Sequence, residues 1–253
     1  MGVMIFIFLN TFFPNGDKLV LSDRVLMLLL SGLISIIMIT LVGFVDDIIG
    51  YDFVNIELTN LWGGYSSVNG EDYKGKDNDP FDLNSHGTHV AVIVAAVTDN
   101  NNGIAGVCWE CKIMSLRAGF SINLENYGVV GSLSDDAVAN SIYYAVDNGA
   151  NIISMSFGGP NSKLREDAIN YASESGVILV AAAGNSGDDE LSFPAAYDNV
   201  ISVAATDIEN NKANFSNYGY WIDIAAPGVD ILSTVPHSGR RICKFVEISN
   251  GGN

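Results

Sequence analysis

Between Lys112 and Ala183 the sequence alternates strand-like and helix-like stretches, and this alternation restricts the fold more than any other feature. Lys112-Ile113-Met114-Ser115-Leu116-Arg117 reads as a buried strand. Ser134 is placed to cap a helix predicted over 135–148, with apolar residues at Ala137, Val138, Ile142, Ala145 and Val146 and a closing glycine, Gly149. Ile152-Ile153-Ser154-Met155-Ser156-Phe157 is the next strand, turning at Gly158-Gly159. A second helix is predicted over 163–175, ended by Gly176. Residues 177–183 then form an uninterrupted apolar run, the pattern of a strand covered on both faces. Strand–helix–strand order predicts an α/β fold, a parallel sheet with helices on both faces. The 253 residues suffice for one large domain of this kind, or a smaller one with an appendage.

Charge is unevenly spread. The net charge is −17, and the only charged residues before Asp46 are Asp17, Lys18, Asp23 and Arg24, which cancel. The later part of the chain therefore carries all of the excess acid. A surface this acidic repels phosphates, so nucleic acid is excluded as a partner. It reads first as solubility, and the acids of the Gly-, Asn- and Asp-rich loop 63–79 are candidate Ca2+ ligands whose pairing the sequence leaves open. Residues 25–45 run 21 positions without a charge, matching the ~20 residues that cross a bilayer. Residues 1–13 are also apolar, and Pro14-Asn15-Gly16-Asp17 reads as a turn between the two segments. One or two hydrophobic membrane-type helices are thus expected ahead of the α/β part, with membrane attachment through residues 1–45. Cys108-Trp109-Glu110-Cys111 has no second Cys or His pair at zinc spacing, so it gives no metal assignment. A local disulfide, a redox pair and two small buried residues all fit it.

The chemistry concentrates at Asn84-Ser85-His86-Gly87-Thr88-His89-Val90, a histidine at the head of a small-residue apolar helix. This run resembles the histidine motif of subtilisin-like serine proteases, and the likeness continues over about 57–236. It implies that His86 is the catalytic base and His89 its structural neighbour. Ala182-Ala183-Gly184-Asn185-Ser186-Gly187, at the end of the apolar run, resembles the oxyanion motif of that family, which gives Asn185 the oxyanion-donor role. By the same likeness Ser156, Phe157 and Gly158 form one wall of the specificity pocket, Ala183 and Gly184 line the other, and Gly131-Ser132-Leu133 is the edge that pairs with an extended substrate. Phe157 beside these small residues points to an apolar side-chain preference. Asn102-Gly103-Ile104-Ala105-Gly106-Val107, Phe215-Ser216-Asn217-Tyr218-Gly219 and Ala225-Ala226-Pro227-Gly228 follow in the family order.

Three positions depart from that pattern. The family's nucleophile lies in Gly-Thr-Ser-Met-Ala, and no Gly-Thr-Ser occurs in these 253 residues. The family's acid closes the first core strand in Asp-Thr-Gly. Here gap-free alignment puts Ile48 at that place, leaving Asp47 as the candidate acid, one residue out of register. Val92 stands where a glycine usually permits close helix packing. In addition, Gly43-Phe44-Val45-Asp46-Asp47 after a hydrophobic span resembles the first acidic motif of the polyprenyl-phosphate sugar-1-phosphate transferases, over residues 2–50 only.

The expected organisation is therefore 1–50 transmembrane-type, 51–236 a partial subtilisin-like peptidase domain, and 237–253 a divergent tail. The expected function is serine endopeptidase chemistry on peptide or protein substrates, inactive without its nucleophile. The alternatives are a membrane-tethered peptide-binding module that does no chemistry, and a transferase fragment. The expected location is at the membrane, or outside the cell for the peptidase part.

Overall fold

The structure, a computed structural model, describes residues 4–9, 50–57, 65–101, 103–237 and 240–248. Its centre is a seven-stranded sheet. The strands are β1 (Met4–Leu9), β2 (Gly50–Asp52), β4 (Lys112–Arg117), β7 (Ile152–Met155), β8 (Ile178–Ala182), β9 (Ile201–Thr206) and β10 (Ile224–Pro227). Their order is β10-β9-β8-β7-β1-β4-β2. Helix α1 (His86–Ala95) covers one face, while α2 (Asp135–Asp147) and α3 (Lys163–Glu174) cover the other. The α/β expectation with helices on both faces holds.

Strand periodicity accounts for the two layers. Ile113 of β4 and Val180 of β8 pack with Val90, Ala91 and Val94 of α1. Their neighbours Met114, Leu179 and Ala181 turn the opposite way, into a core with Ile142, Ala145, Ala168 and Ile169. Successive side chains of a strand point to opposite faces, so a run apolar at every position has to be covered twice. The predicted helix ends are also found. The Ser134 side chain accepts from the Ala137 amide at 3.4 Å, and Gly149 takes φ 80° after α2.

The centre of the sheet departs from the expectation. Every pairing is parallel except those of β1, which runs antiparallel to both β4 and β7, with Met4 beside Arg117 and Leu9 beside Lys112. Residues 4–9, expected within a membrane-type segment, are instead an interior strand of this sheet, between β7 and β4. Six apolar residues are too short to span a bilayer but suit a slot whose two neighbours already offer free backbone groups. Among the described residues no helix is long and apolar enough to cross a membrane. Residues 25–45 lie outside them.

A second sheet, β3-β5-β6, is formed by β3 (Tyr65–Ser67), β5 (Gly119–Leu124) and β6 (Gly128–Leu133), with β6 at its edge. The expected tail begins within a hairpin of β11 (Ile231–His237) and β12 (Arg240–Ile248). The pair Cys108–Cys111 forms a local disulfide, one of the states that motif allows. The amides of Val107 and Cys108 bond the carbonyls of Ile93 and Val94, so the disulfide loop caps the carboxyl end of α1.

One buried charge cluster joins the two sheets. Arg117, at the end of β4, donates through Nη1 to Asp52 of β2 and through Nη2 to Glu71. Its Nη2 also donates to the Asp72 carbonyl at 2.7 Å, and Glu71 Oε2 accepts from the Ser121 amide of β5 at 2.7 Å. All three charged side chains are at most 4% exposed. Glu71 belongs to the loop whose acids were candidate Ca2+ ligands, and its carboxylate is committed to Arg117. Among the described residues no group of three or more His, Cys, Asp or Glu side chains is arranged to hold a metal.

Removing the guanidinium leaves two carboxylates buried together. Arg117→Met is expected to cost about 3–5 kcal/mol in urea unfolding at neutral pH. Burial lifts the Asp52 carboxyl to about 6, against the pull of Arg117. A carboxyl whose folded value lies above its ordinary 3.8 takes up a proton on folding, so its contribution to stability grows as pH falls through that window. The unfolding free energies of wild type and Asp52→Asn are therefore expected to diverge by on the order of 2–3 kcal/mol between about pH 7 and pH 4, with the variant lacking the rise. Parallel profiles would rule out Asp52 as the titrating group.

Candidate active site

His86 is the first residue of α1 and is half-buried. The carboxyl end of α1 is bonded by the amides of Val107 and Cys108, just before the chain enters β4 at Lys112, so that end lies at the amino ends of the strands. The helix therefore runs against the strands, and its first residue points to their carboxyl edge. The sequence missed what seats it. Ser85, the residue before the helix, makes no side-chain cap and sits at φ 73°, a left-handed conformation rare outside glycine. Asp82 caps in its place: Oδ1 accepts from the Ser85 amide at 2.8 Å, and Oδ2 from the Thr88 amide at 2.7 Å and the Thr88 hydroxyl at 2.8 Å. Burial pushes the Asp82 carboxyl above the usual carboxylate range, while the Thr88 and Ser85 donors pull it back. An acid four residues before the histidine was the available signal.

His89 is buried, as its expected structural role requires. Its Nε2 lies 3.2 Å from the Ile231 carbonyl, and its own carbonyl accepts from the Ser233 hydroxyl of β11. Burial holds its pKa below the ordinary histidine value, the Ile231 carbonyl opposing in part. The contact with the Ile231 carbonyl ties α1 to β11. Val92 is accommodated, buried within α1.

Ser156–Gly158 and Ala183–Asn185 leave the carboxyl ends of the adjacent parallel strands β7 and β8, where open α/β sheets bind ligands. Asn185 is exposed on the turn after β8, and the Ala183 amide bonds the Val203 carbonyl at 2.8 Å. Ser192 was not foreseen. A Cβ on Gly158 would meet its Oγ at 2.3 Å, and one on Gly184 would meet it at 3.5 Å, so this hydroxyl lies between the two expected pocket walls. Phe157 departs from its assignment: it is 4% exposed and belongs to the core under α2 and α3. The apolar pocket preference inferred from its ring loses its basis. Gly131, Ser132 and Leu133 end the edge strand β6, with one side of the strand unpaired by the described sheet.

Asp47 lies outside the described residues. The slot between β4 and β7 is filled by Met4–Leu9, which contains no acid and runs opposite to its neighbours.

These elements coincide with a known family. The subtilase family model matches residues 40–247, and the chain belongs to that family. The match starts before Gly43-Phe44-Val45-Asp46-Asp47, the motif read as transferase-like, so that segment falls within the subtilase region. The chain is 47% identical over 169 residues to a thermophilic serine proteinase of Bacillus sp. (strain AK1), covering 66% of this chain and 40% of that one. It is 47% identical over 173 residues to thermitase of Thermoactinomyces vulgaris, covering 68% and 59%. It thus spans between two fifths and three fifths of the length of these relatives. Among solved structures, proteases from Pseudoalteromonas arctica superpose with a TM-score of 0.63 at 30% identity, over 79% of this chain and 66% of that one.

Deleting the Asp82 carboxylate removes the acceptor shared by the Ser85 amide, the Thr88 amide and the Thr88 hydroxyl at the head of α1. Asp82→Ala is expected to lower stability by about 2 kcal/mol in thermal or urea unfolding. A change within about 0.5 kcal/mol would show that Asp82 is not the cap of α1.

Proposed function

We propose that this chain supplies the base, the oxyanion donor and the substrate edge of a serine endopeptidase of the subtilisin type. What supports the reading is that the head of α1 and the Asn185 turn both lie toward the same ends of the parallel strands: α1 ends beside the start of β4, and the Asn185 turn follows the carboxyl end of β8. An extended peptide lies along Gly131, Ser132 and Leu133, pairing its backbone with the outer side of β6. His86 takes the proton of an attacking seryl hydroxyl and returns it to the leaving amine. The Asn185 side-chain amide donates to the developing oxyanion; in subtilisin itself, loss of such a donor costs about 3–4 kcal/mol. Water then hydrolyses the acyl-enzyme.

The 253 residues contain no Gly-Thr-Ser, so by themselves they are expected to bind extended peptides and turn them over little. That observation also favours a second reading, a peptide-binding module without chemistry. A place at or beyond the membrane belongs to the same proposal. Residues 25–45 supply an uncharged run of bilayer length, and the Cys108–Cys111 disulfide suits an oxidising compartment.

Internally quenched peptides incubated with the chain separate the two readings. Turnover that disappears in His86→Ala and falls about 100-fold or more in Asn185→Ala upholds the protease. Binding without turnover, lost when alternate peptide amides are N-methylated, upholds the module. Absence of both binding and turnover sinks both.

A further inference from the structure

Asn185 is exposed on a turn with no ladder of its own to hold it, yet an oxyanion donor is useful only if it is already in place when charge develops. The groups that hold the turn come from one distant residue. Asn217 Oδ1 accepts from the Ser186 amide at 2.8 Å and from the Gly187 amide at 3.0 Å. The Asn217 amide in turn donates to the Gly184 carbonyl at 3.1 Å. The backbone is thus held immediately before and immediately after Asn185 by a single side chain and its own amide.

Asn217 is itself fixed. It is 3% exposed. The Ser216 hydroxyl donates to the Asn217 carbonyl at 3.0 Å and accepts from the Ala205 amide of β9 at 2.8 Å, which fastens the anchor to the sheet. The turn is shaped to receive it: Gly184 takes φ 109°, and a Cβ there would lie 2.8 Å from Asn217 Nδ2. A glycine before Asn185 is what lets the asparagine amide approach this closely.

We propose that Asn217 is the positioning residue for Asn185: it holds the 184–187 turn in one conformation, so that the Asn185 amide is aimed before substrate arrives, and does not itself touch substrate. The inference rests on the oxyanion reading of Asn185. A misplacement of about 1 Å at such a donor is enough to cost about 100-fold in rate, so an anchor of this kind acts on the chemical step and leaves binding alone.

The test compares Asn217→Leu, which removes the acceptor, with Asn217→Asp, which keeps it, in the full chain. Amide hydrogen exchange at Ser186 and Gly187 is expected to quicken by about ten-fold or more in Asn217→Leu, with the Asn185 side-chain amide resonances shifted. The Ala183 amide, bonded to Val203, stays protected. Asn217→Asp restores the wild-type pattern. In turnover, Asn217→Leu lowers kcat by about ten-fold with KM within about two-fold, and costs nothing more in an Asn185→Ala background. Unchanged exchange at Ser186 and Gly187, or losses that multiply in the double variant, overturn the proposal. If turnover survives Asn185→Ala, the oxyanion reading fails instead, and amide exchange alone decides whether Asn217 anchors the turn.

Discussion

A single guanidinium holds the working edge of this domain to its scaffold. Arg117 ends β4 and contacts Asp52 on β2, Glu71 in the loop before α1, and the backbone at Asp72. Through Glu71 it reaches the Ser121 amide on β5, the neighbour of the edge strand β6. Apolar burial could join the same segments, but it is non-directional and leaves their register open. Charged hydrogen bonds of defined geometry select one register, and they carry a desolvation cost that the rest of the core offsets. Two carboxylates share one cation here, and the Asp52 carboxyl is displaced upward as a result of its burial.

The same device recurs on a smaller scale at each candidate catalytic turn. His86 and Asn185 both sit where the chain leaves regular structure, at positions a reactant can reach. Each turn is held by one side chain outside it, local in the first case and distant in the second. Asp82 binds the amides at the head of α1, and Asn217 binds the amides around Asn185. In both cases a buried oxygen gathers backbone donors, and the segment that carries the half-buried His86 or the exposed Asn185 is fixed as a consequence. The disulfide belongs to a different part of the design. It lies at the far end of α1 and anchors the helix there, away from the strands' carboxyl edge.

Much of this was legible from local pattern. The apolar run 177–183, the period of the two helices and their glycine stops predicted strands and helices to within a residue or two, because each signal is set by neighbours along the chain. His86, His89 and Asn185 were legible through their motifs, and the structure places His89 in the core and Asn185 on an exposed turn. Phe157 follows the end of β7, and nothing in its local sequence told whether its ring would face the core or a ligand. Met4–Leu9 was misread because six apolar residues beside a longer apolar run look like membrane sequence until a vacant slot in a sheet claims them.

By itself the sequence determined the α/β class, the helix boundaries and the two residues whose motifs name a chemistry. These depend on periodicity, capping and residue type, all of which are local. Only the tertiary structure decided that Met4–Leu9 lies antiparallel inside the sheet, that Glu71 serves Arg117, and that Asn217 holds the turn around Asn185. Asn217 bonds to a residue 31 positions away and Arg117 to one 65 positions away. Partners so distant are chosen by how the sheet packs, which no window of sequence contains.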